Sequence, residues 1–326
     1  MAKMKKRYYW LLIICIVALT VYYVTESLDL SVLTNLTAGN IIILLFLSIL
    51  PLFVFVYALK ILLKGLGYKS SLKSLYLIAT SSLAANYTTP VKIGIPLRVY
   101  LYKKILGIPL SRGTASLAIE IFLETLLPAL ISILAIATLF KEYSVKIPLV
   151  GMFLLFVIFY TAIFLEPLKL KKVTSKLPFH NKLDRLLEFG IHFQEGVRLM
   201  DKNVIVPFSL LLLVMYAIGA LRLYVILFIF GFEMNPLHLL YVNMISFTIG
   251  SISMVPLGLG TRDASIVLLL LELGVPNEVA IPAALIQRVL GTGLNFVLGA
   301  VSASALGIKF FEFRKVESEG QSTDKI

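Results

Sequence analysis

Apolar runs long enough to cross about 30 Å of hydrocarbon recur along the chain, at 8–25, 41–63, 113–139, 147–165, 204–230 and 279–306. Inside a bilayer the backbone has to satisfy its own N–H and C=O groups, and an unbroken helix of about 20 residues does so. The six runs therefore predict six full transmembrane helices and exclude a soluble protein. Composition agrees, with 59% of the 326 residues hydrophobic and 15% charged, where soluble domains hold about 45–50% apolar residues. The first run follows Lys3, Lys5, Lys6 and Arg7 and lacks a small-residue cleavage site after it, so it reads as an uncleaved anchor.

Two further apolar regions, 73–106 and 237–274, are interrupted by Pro90-Val-Lys-Ile-Gly94 and by Pro256-Leu-Gly-Leu-Gly260. A helix does not run unbroken through such sequences. If both regions are re-entrant hairpins, the segments facing the cytoplasm hold 23 Lys and Arg, and the outer loops hold only Lys141 and Lys146. Making 73–87 a full span would put the most basic loop outside. The expected fold is thus an all-α polytopic protein of the cell membrane, with about six full spans, two re-entrant broken hairpins and both termini cytoplasmic. An Asn35-Leu36-Thr37 sequon in the first outer loop is consistent with this topology.

The chain also matches itself at an offset of 164–167 residues. Gly67-Tyr68 falls on Gly231-Phe232, Pro90 and Gly94 on Pro256 and Gly260, Gly107-Ile-Pro109 on Gly274-Val-Pro276, and Ile119-Glu120 on Ile286-Gln287. The loop after the first hairpin is basic (Lys103, Lys104, Arg112) and the one after the second is acidic (Glu272, Glu278), so the two units are expected to be inverted. Five segments result: an anchor span and outer loop over 1–40, repeat 1 over 41–139, an extra span with a basic amphipathic cytoplasmic loop over 140–206, repeat 2 over 207–306, and a cytoplasmic tail over 307–326.

Charge left at membrane depth is the main functional signal. Five cations, Lys92, Arg98, Arg222, Arg262 and Arg288, stand against three acids, Glu120, Glu124 and Asp263. Each costs about 2.5–3.5 kcal/mol at a helix centre, so such residues should pair or line a hydrated path. The surplus of two positive charges favours an anionic ligand, and arginine presents a planar fork to phosphate or carboxylate oxygens. Pro96 suits the first turn of a half-helix over 95–106, and Thr261 suits the N-cap of one starting at Arg262, so two helix N-termini would face the bilayer centre. Gly94, Gly258 and Gly260 would let a ligand or the opposing tip approach the backbone. Other roles are open. Lys92 either meets the ligand or snorkels to the surface; Arg222 either binds it or pairs with Glu120 or Glu124; Asp263 pairs with Arg262, favours the helix dipole or carries a proton. Glu120 and Glu124 share one helix face and serve either as ion-pair partners or as proton carriers. A lone Cys15 and the unclustered His180, His192 and His238 give no metal, cofactor or thiol chemistry to expect, and no catalytic motif is visible.

The segments Asn86-Tyr-Thr-Thr-Pro-Val-Lys-Ile-Gly-Ile-Pro-Leu-Arg98 and Ser253-Met-Val-Pro-Leu-Gly-Leu-Gly-Thr-Arg-Asp263, with Gly274-Val-Pro276 and Gln287-Arg288, resemble the flippase-like family, also called the lysylphosphatidylglycerol synthase transmembrane region family. The resemblance covers roughly 10–306 and implies a membrane protein that moves a lipid or lipid-linked headgroup between leaflets. Pro90, Gly94 and Arg98 match the first family motif; Pro256, Gly258, Gly260 and Arg288 match the second. Members often carry Glu-Arg on the helix after the first motif and a Glu after the second, where this chain reads Glu120-Ile121 and Arg262-Asp263. Larger relatives add a soluble aminoacyl-transferase or glycosyltransferase domain, and none is expected here. The expected activity is lipid flipping or scrambling of an anionic phospholipid or a polyprenyl-phosphate-linked sugar. Two other readings are an intramembrane enzyme acting on a lipid phosphate and a non-catalytic membrane partner of a glycosyltransferase; a homo-oligomer is also compatible. No nucleic-acid partner is expected.

Overall fold

A computed structural model describes residues 37–88, 93–139, 190–253, 258 and 260–307. The expected spans at 8–25 and 147–165, most of the 166–203 loop and the tail after 307 lie outside these residues, as do the tip residues Pro90, Lys92 and Pro256. The described residues are helical with no strand: α1 (Ala38–Gly65), α2 (Leu72–Thr88), α3 (Gly94–Leu106), α4 (Leu110–Thr138), α5 (Lys202–Ile229), α6 (Pro236–Ile252), α7 (Thr261–Glu272), α8 (Asn277–Arg288) and α9 (Leu294–Ala305). A π-helical turn, Val289–Gly293, joins α8 to α9, so that 277–305 forms one 29-residue rod. A further short helical segment covers 190–198.

Four rods are long and apolar enough to cross a bilayer: α1, α4, α5 and the α8–α9 rod. At 1.5 Å per residue, the 28 residues of α1 and of α5 extend about 42 Å. They carry apolar side chains on all faces, as helices with lipid on one side and protein on the other require. Each of the two interrupted regions forms a helix of 17 residues followed by a shorter one, α2 then α3 and α6 then α7. The elements thus come in two runs of the same order, with lengths of 28, 17, 13 and 29 residues and then 28, 17, 12 and 29. Corresponding helices start 164 to 167 residues apart. Even the stops recur: Gly67 and Gly231 follow the first helix of each run at φ 86° and 81°, where a side chain would be strained.

The packing follows the same exchange. α1 lies against α5 in antiparallel fashion: Gly65, ending α1, meets Val204 near the start of α5, and Leu44, near the start of α1, joins Leu223, Ile226 and Leu227 near the end of α5. α9 lies on α2 and α4 lies on α6. Gly299 sits against Thr80 and Ala84 at the first contact, and Ser132 Oγ lies 3.1 Å from Thr248 Oγ1 at the second. Ser132 and Gly299 hold equivalent places in the two runs, as do Ala84 and Thr248. A methyl on Gly299 would overlap the Thr80 carbonyl oxygen, so this residue type sets how closely the two helices approach. The main apolar core joins α1, α5 and the first hairpin through Leu59, Leu62, Leu75, Ile78, Tyr102 and Phe208. A second cluster, with Val242, Ile266 and Ala283, surrounds the second hairpin.

The glycines near the tips act differently from expectation. A Cβ on Gly94 would overlap the Ser82 carbonyl oxygen and the Asn86 side chain, so its missing side chain lets α2 and α3 close on each other. Gly258, at φ 58°, packs on Gly250 and Arg262 in the same way for α6 and α7. Gly260, at φ 78°, has open space around it and supplies the left-handed turn into α7. Among the described residues, both close approaches are made inside a hairpin.

Candidate functional site

The buried charges separate into two centres. In the first, Arg98 on α3 forms an ion pair with Glu120 on α4, and its Nε donates to Ser82 Oγ on α2 at 3.0 Å. Its guanidinium lies 5.4 Å from the centre of the Phe55 ring. Arg98 is 3% exposed and Glu120 2% exposed, so this is a desolvated pair closing the first hairpin onto the long helix that follows it. Glu124 lies one turn beyond Glu120 on the same helix.

The second centre is a cavity of about 170 Å³ between α1, α5, the second hairpin and the α8–α9 rod, with Tyr87 of the first hairpin at its edge. Among the described residues its lining includes three arginines, Arg222, Arg262 and Arg288, and one carboxylate, Asp263. Pro51 and Tyr216, also in the lining, lie midway along α1 and α5, which puts the cavity at mid-bundle depth.

Each arginine is placed by a different element. Arg222, 7% exposed on α5, donates from Nε to Gln287 Oε1 at 2.8 Å and from Nη1 to Ser48 Oγ at 3.4 Å. Gln287 is itself fixed by donating to the Gly219 carbonyl at 3.0 Å. Gly291 in the π-turn makes room for this guanidinium, since a Cβ there would stand 2.8 Å from Arg222 Nη2. Arg262, in the first turn of α7, donates to Asn243 Oδ1 at 3.2 Å and lies 5.4 Å from the centre of the Phe247 ring. Arg288 closes α8, and its Nη1 is 3.5 Å from Asp263 Oδ1. Asp263 Oδ2 accepts from the Gly260 backbone N–H at 3.2 Å, one half of a capping box, since glycine has no side chain to return the bond.

Several expectations change here. Among the described residues Arg222 meets neither Glu120 nor Glu124; Gln287 and Ser48 take its guanidinium, and Arg98 takes Glu120. Arg98 is accordingly absent from the cavity lining, although it had been grouped with the ligand contacts. Asp263 pairs with Arg288, not Arg262. Thr261 is the first residue of α7 with Gly260 at the N-cap, and its hydroxyl instead lies 3.0 Å from Ser253 Oγ, tying the two arms of the hairpin. Of the expected contacts, Arg262, Arg288, Asp263 and Arg222 share one cavity. The residues not anticipated are neutral: Ser48, Tyr87, Tyr216, Asn243 and Asn295. Gln287 was visible as the counterpart of Glu120 in the second repeat, and polar residues in otherwise apolar spans were the signal for Ser48, Asn243 and Asn295.

Among the described residues the guanidiniums of Arg222 and Arg262 hydrogen-bond to neutral groups, and three arginines against one carboxylate leave the cavity an excess of positive charge in a low-dielectric setting. The N-terminus of α7 adds its partial positive charge from the same side. Such a site suits an anion with several oxygens. The architecture is that of a multi-helix membrane protein with a cationic cavity between spans and broken hairpins.

Residues 10–299 match the lysylphosphatidylglycerol synthase TM region family, and the chain belongs to it. It is similar to a UPF0104 membrane protein of Methanocaldococcus jannaschii, with 24% identity over 86% of this chain and 88% of that one. Two UPF0104 membrane proteins of Methanothermobacter thermautotrophicus are also similar, one at 28% identity over 39% of each chain and the other at 24% over 71% of this chain and 73% of its own.

Proposed function

We propose that this protein carries the headgroup of an anionic amphiphile, a phospholipid or a polyprenyl-phosphate-linked sugar, between the leaflets of the cell membrane. The arginine cavity is the single observation that carries the proposal. Three guanidiniums against one carboxylate at mid-bundle depth leave a surplus of positive charge that a bound anion would balance. Phosphate oxygens would engage Arg222 and Arg262, with Arg288 held ready by Asp263, while the acyl or prenyl chain stays in the surrounding lipid.

The antiparallel α1–α5 pair, the recurring element lengths and the equivalent contacts of α2 with α9 and of α6 with α4 support an inverted repeat, with two hairpins entering from opposite faces. Rocking of one unit on the other would open the cavity to each leaflet in turn. The distribution of basic segments supports a cytoplasmic position for both termini.

Reconstitution tests the proposal. In phosphatidylcholine vesicles containing a trace of fluorescent phosphatidylglycerol, the wild-type protein is expected to make inner-leaflet probe accessible to an external quencher. Arg262→Gln and Arg222→Gln should slow this at least tenfold, and a change at the exposed Lys69, Lys69→Ala, should not. Equal rates in all four proteins would remove the cavity from the mechanism.

A further inference from the structure

The first buried centre has a charge imbalance of its own. Arg98 is the cation for two carboxylates on one face of α4, and Glu120 takes it. Glu124 is left with neither an ion-pair nor a hydrogen-bond partner for its carboxylate among the described residues; only its backbone carbonyl is engaged, by the Tyr216 hydroxyl at 3.0 Å. The second oxygen of Glu120, Oε2, is buried without a donor, and so is Ser116 Oγ one turn earlier. The charged and titratable groups around Glu124 are Glu120 on its own helix, Arg98 from α3 and Tyr216 from α5, with Tyr102 of α3 beside Arg98 and Glu120. α6 meets α4 further along, through Thr248 at Ser132 and Tyr241 beside Ala135, and brings no charge to it. With both acids ionised, the group of Arg98, Glu120 and Glu124 carries one net negative charge at membrane depth, an expensive state. One proton neutralises it, and a protonated carboxyl one turn away supplies the kind of donor that Glu120 Oε2 lacks.

Tyr216 connects this centre to the cavity. Its hydroxyl holds the Glu124 carbonyl, and its own carbonyl accepts from Asn243 Nδ2 at 3.4 Å, while Asn243 Oδ1 accepts from Arg262. Its ring also packs on Phe247 at 5.5 Å between centroids, and Phe247 carries the Arg262 guanidinium on its face. Two contiguous paths of contacts, one polar and one aromatic, thus run from the Glu124 backbone to Arg262.

We infer that Glu124 is a proton-binding site whose occupancy is transmitted through Tyr216 to the arginine cavity, making anion transfer respond to a proton gradient. Binding of the proton stands on the geometry around Glu124 alone; its coupling to transfer rests on the function proposed above.

Two measurements separate these parts. Infrared difference spectra of the purified protein, recorded as pH is raised, should show loss of one protonated carboxylic-acid carbonyl band in the wild type and in Asp263→Asn, and no such loss in the isosteric Glu124→Gln. A band that persists in Glu124→Gln, or that is absent from the wild type, overturns the proton site. In the vesicle assay, an imposed pH gradient should change the wild-type transfer rate several-fold and leave the Glu124→Gln rate unaffected, with Tyr216→Phe showing a weakened response while keeping the infrared band. A Glu124-dependent band together with a gradient-insensitive wild type overturns the coupling. If the band depends on Glu124 but no protein moves the lipid, the proton site stands and the proposed transport function falls.

Discussion

Arg98 and Glu120 show why a buried ion pair is weak grounds for stability and strong grounds for destabilisation when halved. Both charges have lost their water, and each depends on the other. Glu120→Gln should strip the Arg98 guanidinium beside Phe55 of its direct ion-pair partner, leaving only Glu124 a turn away, and lower stability by up to about 3–5 kcal/mol. Thermal unfolding in detergent measures this, and the double change with Arg98→Met should recover much of the loss. Arg222 obeys a different logic, because its partners Gln287 and Ser48 are neutral and its guanidinium occupies the space beside Gly291. Gly291→Ala would push it aside. The expected outcome is weaker protection of the protein by added inorganic pyrophosphate in a thermal-shift assay, with the ligand-free melting temperature nearly unchanged.

At the scale of elements, close helix contacts are made by small residues, since lipid gives no hydrophobic reward for bringing two apolar helices together. Gly299 on α9 is the clearest case. Gly299→Leu should separate α9 from α2 and cost about 1–3 kcal/mol, whereas Val301→Leu, at a position 65% exposed, should be neutral. The same melting experiment on both variants decides it; equal stability would mean that α2 and α9 do not pack closely in the membrane. The π-turn between α8 and α9 belongs to this scale as well. A single widened turn re-aims Gly291 and Thr292 toward the cavity without ending the rod, a device often found at functional sites.

For the whole molecule, the decisive quantity is the side of the membrane on which each connection lies. In a Cys15→Ser background, single cysteines at positions 112 and 278 should label from opposite faces, the first from the cytoplasm. These positions lie in the first turns of α4 and α8, corresponding helices of the two runs, so labelling from the same face would make the repeat parallel instead of inverted. The two broken hairpins would then enter from one side, and alternate exposure of the cavity by rocking would lose its basis.

What the sequence determined by itself was the set of elements. Apolar length set the four long rods within a few residues, Pro and Gly set the two breaks, and the 164–167 offset found in letters returned as helix lengths and left-handed stops. Those signals are local, written in consecutive residues or in a fixed spacing. Partner choice was left to the tertiary structure. Sequence placed Arg98 and Arg222 in the same pool of buried cations, yet the first is spent on Glu120 while the second, on α5, lines the cavity, and Asp263 turns to Arg288 in place of its neighbour Arg262. A guanidinium chooses among acids by a few ångströms of approach, and that distance is fixed only when α1 and α5 cross, the hairpins close on Gly94 and Gly258, and each long side chain finds which carboxylate is within reach.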